Sequence, residues 1–106
     1  MSIERIVIVG YRALPGKEQA LKDLMKNHVA ILRKEGLASN REPVLMESED
    51  GTVVEVFGWK SEAAIKAAHS NPAVQKMWGE YAEVCEYIPI GNIREAANLF
   101  SEFKPL

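Results

Sequence analysis

Residues 53–78 read VVEVFGWKSEAAIKAAHSNPAVQKMW and join a strand-like run to two helical segments. Side chains alternate between the two faces of a strand, so Phe57 and Trp59 share one face. Ser61 is a suitable N-cap for the first helix, and the asparagine and proline that follow suit the start of the second. The stretch therefore predicts a strand and a kinked pair of helices, with His69 near the kink.

The order of the remaining elements predicts the fold class. Apolar periodicity gives a strand over 3–12, a helix over 17–34, strands over 42–47 and 52–59, helical segments over 62–68 and 72–85, a strand over 86–90 and a last helix over 93–103. An Asp-Gly pair between the second and third strands predicts a hairpin. This order is the ferredoxin-like βαββαβ arrangement, an α+β fold with both helices on one face of a four-stranded antiparallel sheet. We expect one domain over residues 1–106, with a C-terminal helical arm over 91–106.

Composition and charge exclude several classes of function. The 106 residues are 47% apolar and 26% charged, as in one globular domain. The net charge is -2 and no basic stripe is present, so we expect no nucleic-acid partner. No apolar run approaches ~20 residues and no signal peptide precedes the first strand, which predicts a cytoplasmic protein without a membrane segment. Cys85 is the single cysteine and is expected to be buried, and the two histidines do not form a metal-ligand set, so no metal is expected.

The first strand predicts a partner subunit. Ile6 and Ile8 occupy one of its faces and Val7 and Val9 the other, so both faces are apolar and need a cover. The helices cover one face of the sheet only. A large exposed apolar patch usually marks an interface, so we expect a homodimer packed sheet to sheet through Val7, Val54 or their alternating neighbours.

Two histidines are candidate site residues, each with two interpretations. His28 lies in the apolar stripe of the first helix and points at the sheet. It is either a core histidine or one of the few polar groups of a cavity between helix and sheet. His69 lies near a helix end, where it either interacts with the terminal dipole or belongs to the site.

Aromatic residues supply candidate walls for such a cavity. Trp78 and Tyr81 recur at helical spacing, which fits a core stripe as well as a ligand-binding wall. Trp59 has the same ambiguity at the end of its strand. Arg12 lies on the strand face with Ile6 and Ile8, where a guanidinium must pair or reach solvent, and it is expected to bridge Glu55 or to hold an acidic ligand group.

The sequence resembles the antibiotic biosynthesis monooxygenase family of dimeric α/β-barrel proteins. The resemblance rests on EVFGWKS at 55–61, the alanine pair that follows, His69, and PAV at 72–74, and YIPI at 87–90 resembles a subgroup of that family. It implies a homodimer in which two sheets form a barrel, with a pocket between sheet and helices. In the enzymatic members this pocket oxygenates a phenolic or quinol polycycle with molecular oxygen and without metal or flavin, so no cofactor is expected.

The resemblance also implies roles for individual residues. His69 would be the catalytic base or donor, and His28 the second polar candidate from the opposite helix. The expected substrate-binding residues are Trp59, Phe57, Trp78, Tyr81 and Arg12. A base, donors for the developing anion and a dry cavity are what such a reaction needs, because a deprotonated electron-rich substrate can itself reduce oxygen.

Two other functions are weighed against this one. The haem-degrading branch of the family has an asparagine on the first strand and a haem-ligating histidine on the helix after the third strand. Here Gly10, Tyr11 and Arg12 end the first strand and Met77 and Trp78 occupy the ligand region, which disfavours haem degradation. The other alternative is a non-catalytic ligand-binding or stress-response barrel, in which both histidines are structural.

Overall fold

The computed structural model describes residues 3–106, which form an antiparallel sheet with helices on one face. The elements in chain order are β1 (Arg5–Ala13), α1 (Glu18–Met25), α2 (His28–Lys34), β2 (Val44–Glu47), β3 (Val53–Trp59), α3 (Glu62–Ala68), α4 (Pro72–Val84), β4 (Cys85–Ile88) and β5 (Lys104–Pro105). The strand order is β4-β1-β3-β2-β5. The α+β arrangement is as predicted, but the sheet has a fifth strand from the C-terminus.

The strand register decides which side chains meet the helices. Val9 of β1 is paired with Glu55 of β3, and Val7 with Phe57. Paired residues project from the same face, so these four side chains lie on one face of the sheet. The helices pack on that face, and their buried residues form one core with the sheet: Leu21, Met25, Val29, Leu32, Ala64, Ala68, Val74, Met77 and Tyr81. The predicted alternation of the third strand is confirmed.

The first predicted helix is broken into two. α1 ends at Met25, and α2 begins at His28 after a turn in which the Asn27 N–H donates to the Leu24 carbonyl at 3.2 Å. Asparagine has a low helix propensity, which favours a break at this point, although its side chain makes no capping hydrogen bond. The break makes His28 the first residue of α2, where its side chain is buried against the sheet.

The caps predicted for the second helical pair are confirmed. Ser61 Oγ accepts a hydrogen bond from the Ala64 N–H at 3.1 Å. Asn71 Oδ1 accepts from the N–H groups of Ala73 and Val74, at 2.9 and 3.2 Å. His69 is the C-cap residue of α3, between the two helices.

The predicted last helix over 93–103 is wrong. The chain forms only two 3-10 turns, Ile90–Asn92 and Arg94–Ala97, before β5 pairs with β2. It leaves the sheet at β4, on one edge, and returns at β5, on the other, so it crosses the face opposite the helices. We call residues 89–106 the C-terminal arm. The arm packs on the sheet of its own chain.

Gly10 makes room for the arm on β1. A Cβ at Gly10 would overlap the Ile88 carbonyl oxygen and lie 2.8 Å from Cδ1 of Ile93. Ile93 and Val54 are both buried. The arm therefore covers part of the face that was expected to be open. Ile6, Ile8 and Val44 on the same face remain about half exposed.

The hairpin predicted at the Asp-Gly pair joins β2 and β3. Gly51 has a φ of 90°, a left-handed conformation that glycine adopts without strain. The Ser48 N–H donates to the Thr52 carbonyl at 2.9 Å. Within residues 3–106, no helix is long and apolar enough to cross a bilayer.

Candidate functional site

A cavity of about 400 Å³ opens between the helices and the sheet face that they cover. Its size is within the range of small-molecule sites. The walls are apolar or aromatic: Val7, Val9, Phe57, Trp59, Trp78 and Tyr87. The polar residues that line it are Tyr11, His28 and His69. The arrangement suits a flat, mostly apolar ligand with few polar groups.

Three buried polar side chains from three different elements meet beside the cavity. The Tyr11 hydroxyl donates to Oε1 of Glu55 at 2.8 Å. Nδ1 of His28 lies 2.8 Å from Oε1 and 3.1 Å from Oε2 of the same carboxylate. We call these three residues the Tyr-Glu-His array. An ionised carboxylate can only accept hydrogen bonds, so the His28 tautomer that matches this geometry has its proton on Nδ1 and offers Nε2 to a ligand.

The sequence brings the array together through strand alternation and the helix break. Glu55 lies between Val53 and Phe57 on the face turned to the helices, so its carboxylate is fully buried. Burying a carboxylate is costly unless it is hydrogen-bonded or paired. Tyr11, two residues beyond the partner of Glu55 on β1, and His28, at the start of α2, supply those partners.

The tyrosines around the cavity remain protonated. Burial, followed by the nearby Glu55 carboxylate, holds the pKa of Tyr11 far above its ordinary value. Burial raises the pKa of Tyr87 to about 12. Tyr11 is therefore a permanent hydrogen-bond donor to Glu55 and cannot act as a base.

Tyr81 does not line the cavity as expected. Its ring lies behind the array, with centroids 5.5 Å from Tyr11 and 5.4 Å from His28. Its hydroxyl lies 3.4 Å from the sulfur of Met25. The helical stripe of α4 points this position into the core, where burial raises the pKa of the phenol. Tyr81 supports the array from the rear.

His69 lies at the mouth of the cavity. Its side chain is exposed, and its ring is tilted by 60° against Trp78, with centroids 5.2 Å apart. His69 is thus both a helix C-cap residue and a cavity-lining residue, so the two interpretations of this position are compatible. The two histidines reach the cavity from different places: His28 beside the buried carboxylate, and His69 at the rim.

Arg12 is not near the cavity. Its guanidinium lies on the opposite face of β1 and is 3.7 Å from the carboxylate of Asp50. Strand alternation accounts for the difference, because Arg12 follows Tyr11 and Tyr11 faces Glu55. The expected Arg12–Glu55 ion pair is therefore wrong.

Tyr11 and Glu55 are the polar residues that sequence reasoning did not assign to the site. The alternation of the third strand did place Glu55 on the same face as Phe57 and Trp59. Its partners, however, lie 44 and 27 positions away in the chain, and no local pattern reports such pairs.

The described residues contain neither a metal-ligand cluster nor a reactive thiol. Across the described residues, no group of three His, Cys, Asp or Glu side chains is placed to hold a metal ion. Cys85 is buried at the start of β4, and burial raises the pKa of its thiol to about 11. A protonated, buried thiol is a poor nucleophile.

Comparison with known proteins supports the fold. No family model matches the sequence, and neither does any curated protein. SnoaB, a cofactor-independent oxygenase from Streptomyces nogalater, superposes with a TM-score of 0.66 and 11% identity over 80% of this chain and 86% of its own. Rv0793 from Mycobacterium tuberculosis superposes with a TM-score of 0.64 and 21% identity, over 81% of this chain and 89% of its own. PA3566 from Pseudomonas aeruginosa superposes with a TM-score of 0.61 and 14% identity, over 83% of this chain and 93% of its own. At these identities the likeness shows a shared ferredoxin-like fold.

Proposed function

We propose that the protein is a cofactor-independent monooxygenase of a small aromatic or quinol substrate, related to the antibiotic biosynthesis monooxygenases. The observation that carries the proposal is an aromatic-walled cavity with a histidine held at its inner side by a buried carboxylate. The shared fold with SnoaB, a cofactor-independent oxygenase, supports it. The apolar and aromatic walls support a flat aromatic substrate.

The reaction needs little from the protein besides a base and a dry cavity. For an anthrone-type substrate, a base removes the proton of the hydroxyl tautomer, and the resulting anion transfers one electron to oxygen. Recombination forms a carbon–oxygen bond to a peroxide, which loses water to give the quinone. The substrate loses four electrons and oxygen gains four, with one oxygen atom in the new carbonyl and one in water.

His28 is the base in this proposal, and His69 is a residue of the entrance. Nδ1 of His28 is bound to Glu55, so the carboxylate compensates the charge when Nε2 accepts a proton. His69 is exposed, and its ring lies tilted against Trp78. This reverses the order that the family resemblance implied, in which His69 was the first candidate.

Oxygen uptake with anthrones and hydroquinones tests the function. Because these substrates autoxidise unaided, the controls are boiled protein and buffer. We expect uptake above both controls. His28→Gln should lower the rate by about 100-fold or more, in the range of general-base catalysis. His69→Ala should have a smaller effect, mainly on KM.

The pattern of variants decides the roles. Loss of activity in His69→Ala with retention in His28→Gln would make His69 the base. Uptake equal to the controls across the panel would contradict an oxygenase and favour the non-catalytic ligand-binding protein. One observation favours that second candidate: among the described residues that line the cavity, none is a lysine, arginine or amide that would hold an oxygen-derived anion.

A further inference from the structure

We infer that the Tyr-Glu-His array is an ionising site for an acidic hydroxyl, which binds a planar phenol or enol as its anion, with Glu55 as the positioning residue for His28. The inference rests on the proposed function for the use of the cavity, but it concerns binding and not oxygen chemistry. It assigns a role to Tyr11 and makes Glu55 the residue that orients His28, both of them buried.

The first argument concerns the tautomer of His28. Both carboxylate oxygens of Glu55 lie within 3.1 Å of Nδ1, and the Tyr11 hydroxyl donates to Oε1. Tyr11 cannot reverse this hydrogen bond by losing its proton, because burial and the carboxylate raise the pKa of the phenol. An ionised Glu55 accepts from both neighbours, and this geometry places the lone pair of His28 on Nε2.

The second argument concerns charge. Glu55 is fully buried, and the groups that face His28 from the packed elements are Glu55, Tyr11 and Tyr81. None of these is a cation, and no lysine or arginine is among the described residues lining the cavity. His69 also lines the cavity but lies exposed at its mouth, so protonated His28 is the cation placed next to the Glu55 carboxylate. A ligand that gives its proton to Nε2 creates that cation on binding.

The third argument concerns the ligand class. A carboxylate or phosphate carries its charge before it enters and would have to cross apolar walls such as Phe57 and Trp59. A phenol or enol enters neutral. Its O–H bond breaks and an N–H bond forms at Nε2, while the electron pair stays on the ligand oxygen. No oxidant or reductant is consumed.

Binding of para-nitrophenol tests the inference, because the neutral and anionic forms absorb at different wavelengths. The titration is done at a pH at which free nitrophenol is mostly neutral. We expect bound nitrophenol to show the anion spectrum with wild-type protein. Glu55→Gln and His28→Gln should each make the bound ligand at least about tenfold less ionised. The matched control is Glu47→Gln, which removes a partly buried glutamate paired with Lys22 outside the cavity.

Nitrogen NMR of the labelled histidines provides a second measurement that needs no ligand. In wild-type protein His28 should show a proton on Nδ1 and a lone pair on Nε2, and Glu55→Gln should mix the tautomers. Circular dichroism tests whether each variant is folded. If Glu55→Gln does not fold, His28→Gln takes its place in the nitrophenol measurement.

Three results would overturn the inference. They are nitrophenol bound in its neutral form, no nitrophenol bound at roughly millimolar concentration, and an anion spectrum that survives in Glu55→Gln. The outcome is independent of oxygenase activity. Nitrophenol bound as its anion without oxygen uptake would support the ionising site and contradict the oxygenase function. Oxygen uptake with nitrophenol bound in its neutral form would support the oxygenase function and contradict the ionising site.

Discussion

Gly10 is a position at which one methyl group decides the packing of the C-terminal arm. Its missing Cβ leaves space for the Ile88 carbonyl and for Ile93, which is buried. The backbone of β4 cannot yield without disturbing its hydrogen bonds to β1. The arm and β4 therefore depend on glycine at this position for steric reasons and not for an unusual φ.

Gly10→Ala should lower the free energy of unfolding by about 1–3 kcal/mol, the usual cost of overpacking. The control is Gly79→Ala on α4, where nothing lies within 4 Å of an added Cβ. That change should be neutral or stabilise by up to about 1 kcal/mol, because alanine favours helix. Urea unfolding measures both. Equal effects of the two substitutions would contradict the steric account.

The sequence predicted that His28 is buried, but it did not predict that Glu55 is its hydrogen-bond partner. Helical spacing placed His28 on a buried face, which is where it lies. The choice between a core histidine and a site residue depended on Glu55, 27 positions away. Strand alternation placed Glu55 on the correct face, but the register that joins β1 to β3 is a tertiary property, so the array could not be derived.

Among the elements, the β2–β3 hairpin owes part of its stability to Asp50. Its carboxylate accepts from the Ser48 hydroxyl and from the Thr52 N–H at 2.9 Å, and Arg12 is 3.7 Å away. The Ser48 hydrogen bond is the main reason that the pKa of Asp50 falls to about 2. Asp50 therefore favours the folded state above the unfolded-state pKa of about 3.9, and loses that effect as the pH falls through about 2.

Asp50→Asn should lower the free energy of unfolding at about pH 7 by no more than about 1 kcal/mol, because the site is largely exposed and screened. The difference from wild type should shrink as the pH falls from about 5 to about 2. Urea unfolding of the two proteins across this range provides the measurement. A difference that is the same at every pH would show that the charge of Asp50 has no part in it.

Element boundaries were predictable where a cap or a glycine marks them. The span of α3, the start of α4 and the end of the first helical region at Gly36 follow from residues visible in the sequence. The break before His28 and the loss of the last helix were missed. In both places the apolar spacing continues, but a local turn at Asn27 ends α1, and β5 pairs with β2 instead of extending a helix.

The whole molecule leaves a row of apolar side chains on the sheet face opposite the helices. Ile8, Val56 and Val44 are paired side by side on adjacent strands, and Ile8 and Val44 are about half exposed. Val7 cannot belong to this surface because it lines the cavity on the other face. Val54 is on this face but is buried. The row is the part of the sheet that the arm leaves uncovered.

We expect a homodimer through this row, since contiguous exposed apolar residues usually mark an interface. Ile8→Lys should convert the dimer to a monomer, whereas Gln19→Lys, on an exposed position of α1, should not. Size-exclusion chromatography with light scattering gives the molecular mass directly. A wild-type monomer, or a dimer that tolerates Ile8→Lys, would contradict this interface.

The buried carboxylate of Glu55 also bears on how the protein can change over evolutionary time. Replacing Tyr11 or His28 alone removes a partner of a fully buried charge, and replacing Glu55 alone leaves two buried donors to be satisfied otherwise. Each single step therefore passes through a destabilised intermediate. We therefore expect the three positions to change together, either retained as a set or replaced together by apolar residues.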